Sequence, residues 1–384
     1  MPEDFIYIDS FSTLTDYCDQ LKKARWLAID TEFEREKTYY PELALLQMTD
    51  GKNAAVIDPI AIEDLTPLMD LLYDPGITKV FHSARQDLEI FFNLKGAVPT
   101  PLFDTQLAAP LLGFNEQIGY ANLVKALIGV ELSKSHTRTD WKRRPLNEGQ
   151  LRYAIDDVVY LAQIYEKMVD QLTQLDRLDW LDKDFEAMTH PEIYEPDSSQ
   201  VWKRIRSANR LKGKKLSVLQ ALAKWREETA RKENRPRNWL LRDDAIIDMA
   251  HQLPDNKGAI FSIKGVHERI ARKHAAELLK VIAEAQNNEP QPLSEKTRKQ
   301  SLNTQQEALV DAMMAIVRLR AEENNLSPVV LAPRKEIEHL VLNDVSVVNS
   351  SWRAKMIGDE LNAFINGDLC MKIIDQQIQL TSVT

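Results

Sequence analysis

Over the first 175 residues, short runs rich in β-branched and aromatic side chains alternate with amphipathic stretches, and near residue 190 that alternation stops. No other feature narrows the fold as much, because strands interleaved with helical patterns are the signature of an α/β domain. Strands are expected at 5–8, 26–32, 44–49, 54–58 and 78–82. Helices are expected at 11–23, 64–73, 84–94, 105–112, 121–128 and 147–175. The hairpin-like spacing of the second, third and fourth strands predicts antiparallel neighbours, while the helix at 64–73 predicts a crossover to a strand that joins in parallel. The result is a mixed sheet with helices around it.

The segment 190–199, with Pro191, Pro196 and a serine pair, reads as a linker, and everything beyond it reads as helical. One helical module runs from about 211 to 285 and ends at a Pro-bearing segment, 287–292; another runs from about 303 to the end. In the second, the stretch 320–340 broken by Pro328 echoes 226–249 broken by Pro236, a diverged repeat offset by about 92 residues. A chain of 384 residues, 44% hydrophobic, suits three domains, mapped at 1–190, 200–289 and 300–384.

Charge is unevenly distributed along that map. The net charge is -9, yet residues 1–170 hold 17 Lys+Arg against 27 Asp+Glu, and residues 201–289 hold 20 against 11. A basic module inside an acidic protein fits a polyanion-binding element, since phosphate affinity follows local charge. Its basic run Lys203, Arg204, Arg206, Arg210, Lys212, Lys214 and Lys215 could hold a phosphate backbone, while Trp225, at helical spacing from Leu219 and Leu222, belongs to the core. Cys18 and Cys370 lie at opposite ends with no second thiol near either, which removes disulfide scaffolds and zinc clips. The acidic start and the absence of a run of about 20 apolar residues point away from secretion and membranes, toward the cytoplasm.

The chemistry-bearing residues are acidic. Asp30 and Glu32 stand two apart at the end of the apolar run Trp26-Leu27-Ala28-Ile29, so the strand period points both carboxylates to one face. Such a pair is costly unless a cation joins it, and hard divalent ions take carboxylate oxygens. Asp87 falls in the first turns of a helix that starts at a strand's end. Tyr153 and Asp157 are four apart on a later helix and share a face. Asp104, before Thr105-Gln106-Leu107, reads as a helix cap, and His82 as ordering the turn before Asp87.

Together, Asp-x-Glu after a strand, Asp at a strand-to-helix junction and Tyr-x-x-x-Asp on a long helix resemble the three exonuclease motifs of the DEDD superfamily, tyrosine subclass. The other subclass carries His-x-x-x-x-Asp in its third motif. That string occurs at His82 to Asp87, but where the second motif belongs, and the third motif is already complete with Tyr153; Asp157 is preferred to Asp156 on the family's spacing. The stretches Leu102-Phe103-Asp104-Thr105-Gln106-Leu107-Ala108-Ala109, Thr139-Asp140-Trp141-Lys142-Arg143-Arg144-Pro145-Leu146 and Gln150 to Leu161 resemble the ribonuclease D family. Leu219 to Arg226, Pro236, Asp243-Asp244-Ala245-Ile246, Ile263-Lys264-Gly265-Val266 and Arg272 to Leu279 resemble an HRDC domain. The last module resembles a second HRDC copy more weakly, being acidic and without a clear Ile-x-Gly turn.

The resemblance implies an α/β, ribonuclease H-like mixed-sheet exonuclease domain followed by two all-α helical modules. It implies two divalent metal ions, Mg²⁺ or Mn²⁺, held by Asp30, Glu32, Asp87 and Asp157, with Asp30 bridging and Tyr153 orienting water. It implies a 3′–5′ exoribonuclease that releases nucleoside 5′-monophosphates from RNA with a single-stranded 3′ end, tRNA precursors among them; the oligomeric state is open, with a monomer assumed. Trp141, Arg143 and Arg144 are candidates to stack on and pair with the 3′ end, the alternative being a packed tryptophan in a basic loop, and Lys212, Lys214 and Lys215 are candidates to hold the RNA body. Two rivals are a DNA 3′–5′ exonuclease and a non-catalytic RNA-binding protein; the latter predicts loss of an acidic position, and all are present.

Overall fold

The computed structural model describes residues 5–132, 139–292 and 302–383, so the acidic start at 1–4 lies outside it. The sheet is built from β1 (Ile6–Ile8), β2 (Trp26–Glu34), β3 (Glu42–Thr49), β4 (Ala54–Ile57), β5 (Thr78–Phe81) and β6 (Leu102–Asp104), in the order β1-β4-β3-β2-β5-β6. β2, β3 and β4 are antiparallel neighbours, while β1 joins β4, β5 joins β2 and β6 joins β5 in parallel. The mixed sheet is therefore as expected, with β6 added. That three-residue strand is too short to show a period of its own.

Each face of the sheet has its own helices. On one face α1 (Phe11–Leu21), α2 (Thr66–Leu72) and α3 (Arg85–Lys95) close a core with Leu27, Ile29, Leu46, Met48 and Phe81. On the other, after the short α4 (Thr105–Ala108), come α5 (Tyr120–Ile128) and α6 (Glu148–Gln174), which cover Ala28, Leu45, Val56, Val80 and Phe103. Alternate residues of each strand thus feed opposite cores. α6 runs for 27 residues because its start is doubly fastened: the Asn147 side chain accepts from Gln150 N, and the Gln150 side chain accepts from Asn147 N. α7 (Asp182–Met188) follows, and Tyr194 in the linker stacks on Phe92, at 5.5 Å between ring centroids.

The next module has α8 (Gly213–Lys232), α9 (Arg237–Leu240), α10 (Asp243–Gln252), α11 (Lys257–Ser262) and α12 (Glu268–Ala285), with its own core in which Trp225 is buried as expected. The last has α13 (Thr304–Glu323), α14 (Pro328–Leu331), α15 (Arg334–Val341), α16 (Ser351–Arg353) and α17 (Asp359–Asn366). α13, α14, α15 and α17 begin at 304, 328, 334 and 359, each 91 residues after α8, α9, α10 and α12 at 213, 237, 243 and 268. Asn234 and Asn325, the same distance apart, both take a left-handed conformation just past the first long helix.

The expectation that the C-terminal part is wholly helical is corrected by β7 (Leu369–Ile374) and β8 (Gln377–Ser382), which form an antiparallel hairpin. Asp375 and Gln376, both at positive φ, make the two-residue turn between them. No helix among the described residues is long and apolar enough to cross a membrane.

Candidate active site

β2 carries the first two carboxylates out of the sheet. Asp30 and Glu32 follow Ala28 on the α6 face, where Asp30 pairs in register with Gln47 and Glu32 with Leu45. Immediately after Glu32 the register slips, so that Ala44 and Leu45 enter the same apolar cluster although consecutive. Such a bulge bends the strand locally and re-aims its side chains.

From the opposite side, α6 lays Asp157 against them. One carboxylate oxygen from each of Asp30, Glu32 and Asp157 lies within 4.8 Å of the others.

Asp87 stands just behind. At the end of β5 the chain turns through Ser83, at φ 62, and the Asp104 carboxylate accepts from Ser83 N at 2.9 Å and Ala84 N at 2.8 Å. Asp104 also caps α4, as expected, and His82 meets Thr105 Oγ1 at 2.9 Å, so both residues fasten this turn. The turn puts Asp87 in the first turn of α3, where Thr31, between the two β2 acids, donates to Asp87 Oδ1 at 2.5 Å.

Crowding and burial act on all four groups in one direction. Burial, then the Asp157 charge, pushes Asp30 well above the carboxylate range; burial, then Asp30, does the same to Asp87, against the hydrogen bond from Thr31. Glu32 is pushed up to about 9 by burial and then by Asp30, Asp157 and Asp87, and Asp157 to about 7 by burial and Asp156. Buried like charges without a counterion are unfavourable. An all-oxygen donor set of this density fits hard divalent cations rather than zinc or copper. Tyr153, one turn before Asp157, is raised further from its ordinary value by burial and by Asp157, Glu32 and Asp30, and so keeps its proton at neutral pH.

Two residues around the acids were not singled out in the sequence. Gln47, 0% exposed, lies beside Asp30 on the same face, and neither its amide nitrogen nor its oxygen has a hydrogen-bond partner among the described residues. An uncharged residue facing a core from mid-strand was the available signal. Tyr120 donates from its hydroxyl to the backbone carbonyl of Asp157 at 2.5 Å, fixing the height of that turn of α6.

The segment 140–145 departs from expectation. Trp141, expected to stack on RNA, is 5% exposed and packs on Tyr153 with ring centroids 6.1 Å apart. Arg144, expected to pair with RNA, instead donates from Nη2 to Asp58 Oδ1 at 2.8 Å and to the Ala44 carbonyl at 2.8 Å, and from Nη1 to the Trp141 carbonyl. Lys142 is held by Glu42 and lies 3.8 Å from Glu34. An aromatic among cations before a proline was here a sign of a loop pinned beside Tyr153, because Lys142 and Arg144 each found an acid or carbonyl at the sheet. Arg143 alone of the three expected contacts is exposed, as are Lys212, Lys214 and Lys215 in the helical module.

A mixed sheet whose central strand presents acids to a covering helix is the framework of a metal-dependent 3′–5′ exonuclease. A family model described as 3′–5′ exonuclease matches residues 5–173, and one described as HRDC domain matches 215–282. The ribonuclease D of Sphingobium indicum is 37% identical over 381 residues, covering 97% of this chain and 98% of that one. The ribonuclease D of Pseudomonas paraeruginosa is 38% identical over 339 residues, 87% of this chain and 89% of that one. The crystal structure of Escherichia coli RNase D, described as an exoribonuclease involved in structured RNA processing, superposes with a TM-score of 0.79 at 31% identity, covering 94% of this chain and 99% of that one. The chain belongs to the ribonuclease D family of metal-dependent 3′–5′ exoribonucleases.

Proposed function

We propose that the chain trims small structured RNAs from the 3′ end, tRNA precursors foremost, using two divalent cations held by Asp30, Glu32, Asp87 and Asp157. The observation that carries this reading is the convergence of half-buried carboxylates from β2 and α6 within 4.8 Å of one another. Asp30 lies between Glu32 and Asp157 on one side and Asp87 on the other in electrostatic influence, which suits it to bridge two ions. Divalent ions, when bound, would activate water and stabilise the charge that builds in an in-line phosphoryl transfer.

The protein's own groups then have limited work. Glu32 and Asp157 hold the side on which water attacks; Asp87, steadied by Thr31, holds the leaving-group side. Tyr153, protonated at neutral pH, orients the attacking water by hydrogen bonding and is no general base. Its ring rests against Trp141, so the Trp141 loop positions this tyrosine rather than the substrate. Arg143 and the basic residues Lys212, Lys214 and Lys215 hold RNA phosphates through charge.

The relative from Escherichia coli is described as processing structured RNA, and the basic module next to the nuclease domain gives a folded RNA body a place to sit. The monomeric state and a cytoplasmic location complete the proposal, the latter on the two widely separated cysteines.

The test is cleavage of a 5′-labelled, 3′-extended tRNA and a matching DNA strand with Mg²⁺, Mn²⁺ or EDTA. A metal-dependent ladder shortening from the RNA 3′ end that stops near the mature terminus is expected. Equal trimming of DNA would replace this reading with a DNA exonuclease, and trimming of unstructured RNA alone would remove tRNA precursors from it.

A further inference from the structure

Between the loop that leaves β2 and the HRDC module lies a cavity of about 500 Å³ whose walls carry four arginines, Arg35, Arg204, Arg226 and Arg237, against two acids, Glu227 and Asp243. Taken as formal charges this lining is cationic by two. The nuclease domain supplies Arg35 and the helical module the rest, so the cavity exists only where the two meet.

Three of these arginines are held stiffly and keep donors to spare. Arg35 grips Glu89 with both terminal nitrogens, at 2.9 and 2.8 Å, and donates from Nε to the Tyr39 carbonyl at 3.1 Å. Arg237 donates from Nη2 to Glu227 Oε1 at 2.7 Å and to the Tyr39 hydroxyl at 2.9 Å, leaving Nη1 without an acceptor among the described residues. Arg226 is 7% exposed and spends Nη1 on the Leu241 carbonyl and Asp243, while its buried Nε has no partner among the described residues. Arg204 is exposed and has no ion-pair or hydrogen-bond partner among the described residues. Buried guanidinium donors are ordinarily satisfied, so a cavity lined by this many incompletely used ones is chemically unfinished.

Guanidinium groups with free N–H pairs match phosphate oxygens. A base is a poorer occupant, because Arg237 already covers one face of the Tyr39 ring, 4.7 Å from its centroid, and the Tyr39 hydroxyl is spent on Glu227. The location decides which phosphate. Arg35 follows Glu32 by three residues just past the end of β2, and its anchor Glu89 follows Asp87 by two on α3, so the two elements that carry three of the acids also carry the nuclease-side wall of the cavity.

We propose that this cavity is a phosphate subsite that takes a backbone phosphodiester of the RNA strand whose 3′ end lies among the carboxylates, a few nucleotides upstream of the bond being cut. It rests on the exoribonuclease reading. Released nucleoside monophosphate carries the same chemistry, and the experiment separates the two sources.

The experiment compares wild type with Arg204→Glu and Arg204→Lys in the full chain, by kcat/KM on a ribodinucleotide and on a single-stranded RNA of about ten nucleotides, at several salt concentrations. Charge reversal is expected to lower kcat/KM on the longer RNA by about tenfold more than on the dinucleotide, through KM, and to flatten the logarithmic salt dependence by about 0.7 or more. The lysine variant is expected to recover most of the loss. Equal effects on the two lengths, or none on either while wild type degrades both, would overturn the subsite. Inhibition of dinucleotide cleavage by adenosine monophosphate that weakens in Arg204→Glu would assign the cavity to product and overturn the backbone assignment. A wild type inactive on both RNAs would instead overturn the exoribonuclease reading itself, and the subsite with it.

Discussion

Four helices of the two helical modules start in the same order 91 residues apart, from α8 and α13 on, yet the modules meet the nuclease domain by opposite means. Both present a left-handed asparagine, Asn234 or Asn325, to it. Asn234 accepts from the backbone N–H groups of Tyr39 and Tyr40, at 3.0 and 3.1 Å. Around it Tyr39 donates to Glu227, which is 1% exposed and also bound by Arg237, while Arg231 donates to the Tyr39 hydroxyl. Asn325 instead rests against Gly113, where a Cβ would come within 2.9 Å of it and φ is +88°, so no other residue fits there easily.

Around this second seat Val330, Leu331, Trp352 and Leu361 belong to the same apolar cluster as α5 and α6, and Trp352 stacks on Trp180 at 4.4 Å with planes 7° apart. Arg177 ties the seam, donating to the carbonyls of Leu111 and Asn324 at 2.7 Å each. The first module is thus a basic domain with its own core, held by directional polar bonds, and the second, with 7 Lys+Arg against 11 Asp+Glu over 302–384, is an extension of the nuclease core. The same order of helices is thus seated by polar bonds in the basic module and by apolar packing in the acidic one.

The sharpest way to break this comparison is a matched pair of deletions of side chains. Trp352→Ala removes an aromatic from the shared core and is expected to cost about 3–5 kcal/mol, lowering the denaturant midpoint of the nuclease domain itself. Glu227→Ala leaves Arg231 and Arg237 without their buried partner and is expected to cost a similar 3–5 kcal/mol, but confined to α8–α12 and its seat. Limited proteolysis read by mass spectrometry separates them: cutting in the 190–199 linker while the nuclease domain stays intact is expected for Glu227→Ala only. The same pattern from both would erase the distinction.

A smaller contrast lies in the asparagines. Asn234→Ala strands two backbone donors and is expected to cost about 1–3 kcal/mol, while Asn325→Ala, which loses no side-chain hydrogen bond, is expected to cost about 1 kcal/mol or less, both by chemical denaturation.

Smaller still is the effect of mild acid. Burial alone would raise the Glu227 carboxyl, but hydrogen bonds from Arg237 and Tyr39 and the Arg237 and Arg231 charges hold it below the usual value of 4.5. A carboxyl so depressed when folded contributes stability above about 4.5 that is lost as pH falls through its folded pKa. Hydrogen-exchange protection, taken relative to the intrinsic rate at each pH, is therefore expected to fall in α8 and α9 before α13 and α14 as pH is lowered; the reverse order would contradict the polar seat.

The nuclease domain was legible because local pattern and function coincide there: a period-2 apolar run leads to Asp30 and Glu32, and a helical face joins Tyr153 to Asp157. The repeat was legible through Pro236 and Pro328, 92 residues apart, which stand at the starts of α9 and α14 in the two modules. The hairpin at β7 and β8 was missed although alternation flanks Asp375-Gln376, because a two-residue turn without glycine gives little local signal. Between the stacking and packed readings of Trp141, and for Arg144, sequence left the choice open because a cationic loop looks the same whether its charges meet RNA or, as with Asp58, an acid far along the chain. Gln47 offered only the signal of a polar residue in an apolar strand, because its register with Asp30 exists only once β2 and β3 pair.

The most direct measurement is the rate of mononucleotide release from the 3′ end of a short single-stranded RNA in saturating Mg²⁺ or Mn²⁺, for wild type beside Asp30→Asn, with both shown to be folded by circular dichroism. If Asp30 joins the two halves of the acidic cluster, the variant loses about 10³-fold or more in kcat at either metal. Activity within tenfold of wild type would contradict the assignment of this cluster as the seat of the reaction.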